Sequence, residues 1–385
     1  MRITQSMLTQ NNLRYISKNY ERMGSIQDQL VTGKKITRPS DDPVVAMKGM
    51  RYRSQVVEVE QFKRNIGEGF SWMENGDAAL DETGQVLHRI RELTVQASND
   101  SYDESARKNI SKEITRLQEH LVALAETKVG DKYIFNGTNT DASPVDATKM
   151  NVDFEGFKTK LATPSNAENY SITYKGRTYK YDSDNGSDEF KFKYNDNESI
   201  TINITNSKVE HSIFEKRKLM PEEPAVETIT EIADSDLVIS HNESVSFNNQ
   251  DVEIEVLKGV TIPINIRSQN AFSINMFSGI ESIKKMLTNP DVESADISTA
   301  IDEIDRFMDD VVSTRAELGA RTNRAEMVEN RLLKQEVIAK QTVSENEDID
   351  FEKAIIDLKT QESIHRASLA AGARIIQPTL MDFLR

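Results

Sequence analysis

Apolar residues recur at threes and fours near the start of the chain: Ile3, Met7, Leu13, Ile16, Tyr20, Met23 and Leu30. The same spacing returns near its end, at Phe351, Ile355, Leu358, Leu369 and Ile376, then Leu380, Phe383 and Leu384. Each set traces one face of an amphipathic helix. Each face is too narrow to hold a helix alone in water, so each end needs a partner: the other end, or a neighbouring molecule. An end without its partner is expected to be disordered and to fold on assembly.

Between the ends lie two proline-free stretches, 44–143 and 291–377. Proline in a helix interior costs about 3 kcal/mol, so these are where long helices fit. The first opens at Asp42-Pro43, a capping carboxylate followed by a proline suited to the first helical position. A heptad-like register follows through Val45, Tyr52, Val56, Val59, Ile66, Phe70, Met73, Leu80 and Leu87, interrupted at Lys63, Asp77 and Gly84. A helix to Ser98 would be roughly 80 Å long, the length of a rod. Asn99-Asp100 reads as a turn, and Ser101 with Glu104 as a capping box for a second helix carrying Ile110, Ile114, Leu117, Leu121 and Leu124. Gly130 reads as its stop, which makes the pair an antiparallel hairpin. In the second stretch Ile304, Val311, Leu318, Ala325, Leu332 and Ala339 hold one heptad position, while the companion positions turn polar at Arg315, Thr322, Glu329 and Glu336. A shorter helix is expected from Phe272 to Leu287, ended by Asn289-Pro290.

The period changes from helix to strand in the middle. YSITY, RTYKY, FKFKY, SITINI, DLVIS, DVEIEV and GVTIPINI alternate apolar and polar residues and are separated by turn clusters such as Asp182 to Gly186. The expected fold class is α+β: a long α-helical coiled-coil rod formed by the N- and C-terminal segments, with an inserted β-rich outer domain. The expected divisions are 1–42 with 345–385 as terminal assembly helices, 43–136 with 268–344 as the helical rod, and 137–267 as the β-rich domain.

Charge and composition narrow the function. The chain has 385 residues and a formal charge of −15, which repels phosphate backbones and disfavours nucleic acid as a partner. More than half of the net negative charge falls in the β-rich segment. There is no cysteine, which excludes disulfides, zinc–cysteine sites and thiol catalysis. No apolar run approaches the roughly 20 residues of a membrane span, and no leader-like segment opens the chain, so neither membrane insertion nor a cleaved signal peptide is expected.

Chemical motifs fail on inspection. Gly33-Lys34-Lys35 lacks the first glycine and the hydroxyl residue of a phosphate loop, with Asp28 and Lys35 in those places, and reads as a basic turn between helices. Asp182 to Glu189 puts its glycine fifth, where a calcium loop needs it sixth. His88, His120, His211, His241 and His365 show no metal-ligand spacing, and no nucleophile motif is present. Asn-x-Ser/Thr triplets at Asn136, Asn197, Asn203 and Asn242 are what so asparagine-rich a region yields by chance. No cofactor, metal or catalytic residue is expected, and the chain reads as a non-enzyme.

Five ordered segments resemble the flagellin and hook-associated protein superfamily: LVTGKKITRPSDDPVVA at 30–46, RELTVQASNDS at 91–101, LGARTNRAE at 318–326, DIDFEKAI at 348–355 and SLAAGARIIQPTLMDFLR at 368–385. KYIFNGTNT at 132–140 is similar to the hook–filament junction branch, the hook-associated protein 3 family, whereas the closing QPTLMDFLR is closer to flagellin. The resemblance implies an extracellular structural subunit of the bacterial flagellum, forming the junction between hook and filament. It implies export, unfolded, through the flagellar type III system, and self-association into a ring. The implied partners are other axial proteins (a hook-side hook-associated protein, flagellin or cap) and an export chaperone on the C-terminal helix. The apolar stripes at both ends would then be the assembly interface. Flagellin itself is the first alternative. A coiled-coil signalling protein is the alternative from another class, but it would want a membrane segment or a signalling tip.

Overall fold

The computed structural model describes residues 5–99, 103–161, 164–184, 188–215, 226–290 and 292–376. Eight α-helices and eleven strands occur among them: α1 (Gln5–Thr32), α2 (Pro43–Ala97), α3 (Glu104–Ala125), β1 (Lys128–Val129), β2 (Lys132–Tyr133), α4 (Phe154–Leu161), β3 (Tyr170–Tyr174), β4 (Arg177–Asp184), β5 (Glu189–Asn195), β6 (Glu198–Asn203), β7 (Lys208–Glu215), β8 (Val226–Ile232), β9 (Val238–His241), β10 (Glu253–Leu257), β11 (Val260–Pro263), α5 (Ser268–Ala271), α6 (Ile274–Thr288), α7 (Ser294–Glu347) and α8 (Phe351–Ile376). They form two compact units, Met1–Arg64 with Glu329–Arg385, and Asn65–Val328. The α+β class and the long helices are as the periodicity predicts.

In the larger unit α2 and α7 run antiparallel. Ile66, Met73, Leu80 and Leu87 on α2, and Ile304, Val311, Leu318 and Ala325 on α7, are all buried. The residues that interrupt or flank the heptads are the ionic partners of this seam. Arg315 of α7 grips Asp77 at 2.7 Å and also pairs with Asp81, and Arg91 of α2 meets Asp305 at 2.6 Å. The α2–α3 hairpin is also as expected, with Arg89 on Glu113 at 2.7 Å and Glu82 on His120 at 2.9 Å. Two details differ. Helix α3 is capped by Asp103, whose carboxylate accepts from the Ala106 N–H at 2.9 Å, while Ser101 of the expected box lies outside the described residues. It ends at Ala125, and Gly130, at φ 62°, makes the turn between β1 and β2 instead.

Strands β3 to β9 make one antiparallel sheet in the order β8-β7-β6-β5-β4-β3-β9. One face buries Ile172, Tyr179, Phe190, Phe192, Ile200 and Ile202 against Phe157 and Leu161 of α4. The other face meets α6, where Ser278 accepts from Thr173 at 3.0 Å and Ser282 accepts from the Gly176 N–H at 3.0 Å. Strands β7 and β8 and helix α4 were not anticipated. In β7 (KVEHSIFE) His211 falls in register with Val209 and Ile213, and Phe214 with Glu210, so no clean period of two marks the strand. The hairpin β10–β11 is not part of this sheet. It lies on α2, because Gly69 leaves room for it: a β-carbon there would come within 2.5 Å of Ile254, and one at Gly76 would meet Ile266, just after the hairpin, at 2.9 Å. Asn65 donates to the Glu255 carbonyl at 2.8 Å.

The chain enters and leaves the β-rich segment at one neck, where Asn136 bridges Arg267 antiparallel. Phe135 packs edge-on against Phe272 at 4.9 Å, and Ser268 donates to the Phe135 carbonyl. Gly137 stands at φ 55°, and a β-carbon there would sit 2.6 Å from the Gln250 carbonyl oxygen. Most of KYIFNGTNT is thus spent on closing this neck. We expect Gly137→Ala to cost about 2–4 kcal/mol, through both a left-handed backbone and a backbone clash. Gly130→Ala, in open space, should cost about 1 kcal/mol. Thermal unfolding of the two variants side by side checks the difference; equal losses would refute it.

Candidate assembly surface

The smaller unit holds the residues expected to drive assembly. Helices α1 and α8 lie antiparallel against each other. Asn19 donates to Ser368 at 3.4 Å, the Tyr20 and His365 rings lie 5.9 Å apart, and Gly372 lets Asn12 and Ile16 approach closely. The two narrow stripes therefore cover one another in part over the described residues. Cover is incomplete, because two helices meeting along one line leave the flanks of both stripes in solvent.

The fifteen sequence-predicted interface residues divide accordingly. Ile16, Met23, Leu30 and Leu358 are half-buried. Met7, Leu13, Tyr20, Phe351, Ile355 and Leu369 are exposed, Tyr20 by 64% and Leu369 by 48%. Ile376 ends α8, and its side chain is outside the described residues, as are Ile3, Leu380, Phe383 and Leu384. Further exposed apolar residues of this unit were missed: Val44, Met47, Met50 and Val57 on α2, and Val337, Ile338 and Ile356 on the C-terminal side. For those on α2 and α7 the signal was apolar residues falling outside the heptad seam of a helix assigned to a rod; Ile356 follows Ile355 on α8.

The turn after α1 is fastened to the end of α7. Lys34 and Asp348 form an antiparallel bridge, the Lys35 N–H donates to the Glu347 carbonyl at 2.7 Å, and the Ile349 N–H donates to the Gly33 carbonyl at 3.0 Å. Glu347 is 5% exposed. It takes a two-pronged grip from Arg53, at 2.7 and 2.6 Å, with the Lys34 ammonium at 3.6 Å. The Lys34 ammonium at 2.6 Å and the Ser344 hydroxyl at 2.5 Å hold the Asp348 carboxyl below its usual range. Asp42 caps α2 as expected, accepting from the Val44 and Val45 N–H groups at 2.9 and 3.1 Å. The basic turn Gly33-Lys34-Lys35 therefore holds a carboxylate of its own chain. A cleft of about 230 Å³ lies beside it, lined by Lys34, Ile36, Arg38, Met50, Arg53 and Glu347. Glu347 had no sequence signal, being one acid in the run Glu345 to Asp350.

No group of three or more His, Asp or Glu side chains suited to a metal ion occurs among the described residues, and no described helix is long and apolar enough to cross a membrane. The arrangement offers surface for association.

Residues 3–140 match the family described as the bacterial flagellin N-terminal helical region, and residues 301–384 the bacterial flagellin C-terminal helical region. Together they span more than half of the chain. The chain belongs to the flagellin superfamily. Like the family, it is a structural subunit of the flagellum. Among its relatives, a flagellin of Clostridium tyrobutyricum is 26% identical over 351 residues, 86% of this chain and 87% of that protein. Flagellin A of Vibrio anguillarum is 23% identical over 380 residues, 97% of this chain and 96% of that protein. In fold, the chain is similar to the solved structure of a putative flagellar hook-associated protein from Vibrio parahaemolyticus, with a TM-score of 0.53 at 14% identity, covering 80% of this chain and 100% of that one. The segments 30–46 and 348–355 are the two sides of the Lys34–Asp348 bridge.

Proposed function

We propose that this flagellin-superfamily chain is a hook–filament junction subunit. The observation that carries an axial role is the α1–α8 pair, which keeps Met7, Leu13, Tyr20, Phe351, Ile355 and Leu369 exposed along its flanks. Rows of this kind are covered when neighbouring copies pack side by side. In this reading 1–42 with 345–385 form an inner layer, 43–136 with 268–344 a surrounding rod layer, and 137–267 the outward face. Ile3, Ile376, Leu380, Phe383 and Leu384 extend the same stripes. The subunit leaves the cell unfolded through the flagellar type III channel, and a chaperone covers the C-terminal helix before export. Its neighbours are a hook-side hook-associated protein, flagellin or cap, and further copies of itself in a ring. The role is structural and involves no reaction chemistry.

The junction position is supported by KYIFNGTNT at the neck and by the fold shared with the Vibrio parahaemolyticus hook-associated protein. The flagellin reading is favoured by the near full-length relative in Vibrio anguillarum. Growth separates the two. A filament subunit needs a self-match that does not close, whereas a junction ring presents two different faces. We expect the purified chain not to elongate alone. We expect a deletion strain to keep its hooks while its major filament protein escapes into the medium. Long filaments of this protein alone, or a deletion strain that still builds filaments on its hooks, would decide for flagellin.

A further inference from the structure

The β-rich segment carries a groove of about 470 Å³ where β3 and β4 meet the start of α6. That volume is in the range of small-molecule sites. Ser171 lies in its wall, 4% exposed, and its hydroxyl has no hydrogen-bond partner among the described residues. A buried hydroxyl is nearly always paired, because leaving it unpaired forfeits its hydration. Around it stand Lys180, Glu168 and the amides of Asn242 and Asn275, and at the rim Phe247, 54% exposed. Asp182 also lines the groove and is held by Lys193 at 2.8 Å.

We infer that this groove binds a neutral saccharide. The lining sets aside the other ligand classes. One ammonium, Lys180, shares the lining with two carboxylates, Glu168 and Asp182, so an anion is disfavoured, and one of those carboxylates is already neutralised by Lys193, so a cation gains little. A peptide strand would need a free backbone edge, but β3 is paired on both sides, by β4 and β9, and β4 by β3 and β5. An apolar ligand would strand the hydroxyl, amides and acids. The Asn242 amide already donates to the Glu168 carbonyl at 2.8 Å. A sugar offers what remains to be matched: hydroxyls that both donate and accept, for Ser171, the Asn275 amide, the amide oxygen of Asn242, Lys180 and the Glu168 carboxylate, and a flat C–H face for the Phe247 ring. The inference rests on no part of the assembly reading.

Saturation-transfer NMR and calorimetry on the full chain test it, with glucose, galactose, mannose and N-acetylglucosamine as probes and inorganic phosphate and an unstructured peptide as comparisons. We expect at least one sugar to bind. Phe247→Ala should weaken it about tenfold and Ser171→Ala about fivefold. The unfolding temperature of Ser171→Ala should stay equal or rise, since the change removes an unpaired buried hydroxyl; a purely structural serine would leave sugar affinity unmoved. Lys180→Ala, at an exposed position, is the second probe and should also weaken binding without altering the fold. Absence of binding by every sugar, binding unaffected by all three substitutions, or selective binding of phosphate or the peptide would each overturn the inference.

Discussion

Leu369→Asp is expected to leave the isolated chain folded and to abolish assembly. Leu369 is 48% exposed on α8, so in the monomer the substitution removes little buried surface. Exposed helix positions usually respond within about 0.5 kcal/mol, apart from the lower helix propensity of Asp. In the assembled state the same position would be covered by a neighbour. There the change forfeits the burial of a leucine, about 2 kcal/mol, and adds the burial of an unpaired carboxylate. A loss of 3 kcal/mol or more per contact lowers the association constant by more than about a hundredfold. Leu369→Ala should give a milder defect of the same kind. Circular dichroism and thermal unfolding of the purified chain, alongside motility and electron microscopy of cells carrying it, read the two halves of the effect. Normal motility of the Asp variant would remove the α1–α8 flank from the assembly surface.

The second large effect is expected at Glu347. Arg53→Ala would leave its carboxylate buried with only Lys34 at 3.6 Å, at a cost of about 1–3 kcal/mol. The low end of that range applies because the Arg53 side chain is itself 65% exposed. Glu347→Ala should cost less than Arg53→Ala, since the two cations it strands are in contact with water. Gly49→Ala is the sharper probe. Ala for Gly inside a helix ordinarily stabilises by about 1 kcal/mol. Here the new β-carbon would sit 2.6 Å from a Glu347 carboxylate oxygen that Arg53 holds in place, so the sign should reverse. The Arg53→Ala, Glu347→Ala pair should recover part of the loss of Arg53→Ala alone. Acid should weaken the same fastening. The Asp348 carboxyl is held below its ordinary value, so its contribution is present above that value and is lost as pH falls through the lower, folded one. The rate at which a protease releases residues 1–32 measures all of these. A stabilising Gly49→Ala would show that Glu347 moves aside freely.

The helical parts were legible because a long helix repeats one rule many times. Ile304, Val311, Leu318, Ala325 and Leu332 each report the same buried side of α7, and a single polar neighbour does not hide the pattern. Strands β3 to β6 were legible for a related reason, since apolar and polar residues alternate across a half-covered sheet. Strands β7 and β8 put charged and apolar residues on the same face, as with Phe214 and Glu210 or Ile229 and Glu231, and they are built onto the edge that β6 offers, which is a property of the sheet. The cap of α3 at Asp103 was not singled out, because one carboxylate before a helix looks like any other until the backbone turns at it.

At the candidate surface the sequence by itself determined the two amphipathic stripes, the basic turn after Leu30 and the capped start of α2. Each is a local statement about spacing or side-chain type. Only the tertiary structure decided that the stripes cover one another in part, leaving Met7, Leu13, Tyr20, Phe351, Ile355 and Leu369 exposed. Only it decided that Glu347 is the one acid of its run to be buried, under Arg53 and against Gly49. It likewise decided that Gly69 holds a hairpin on α2, and Gly76 the chain just after it. These facts join residues far apart in the chain. Hydrophobic periodicity reports which side of an element is covered, and what covers it is fixed by which distant surfaces fit.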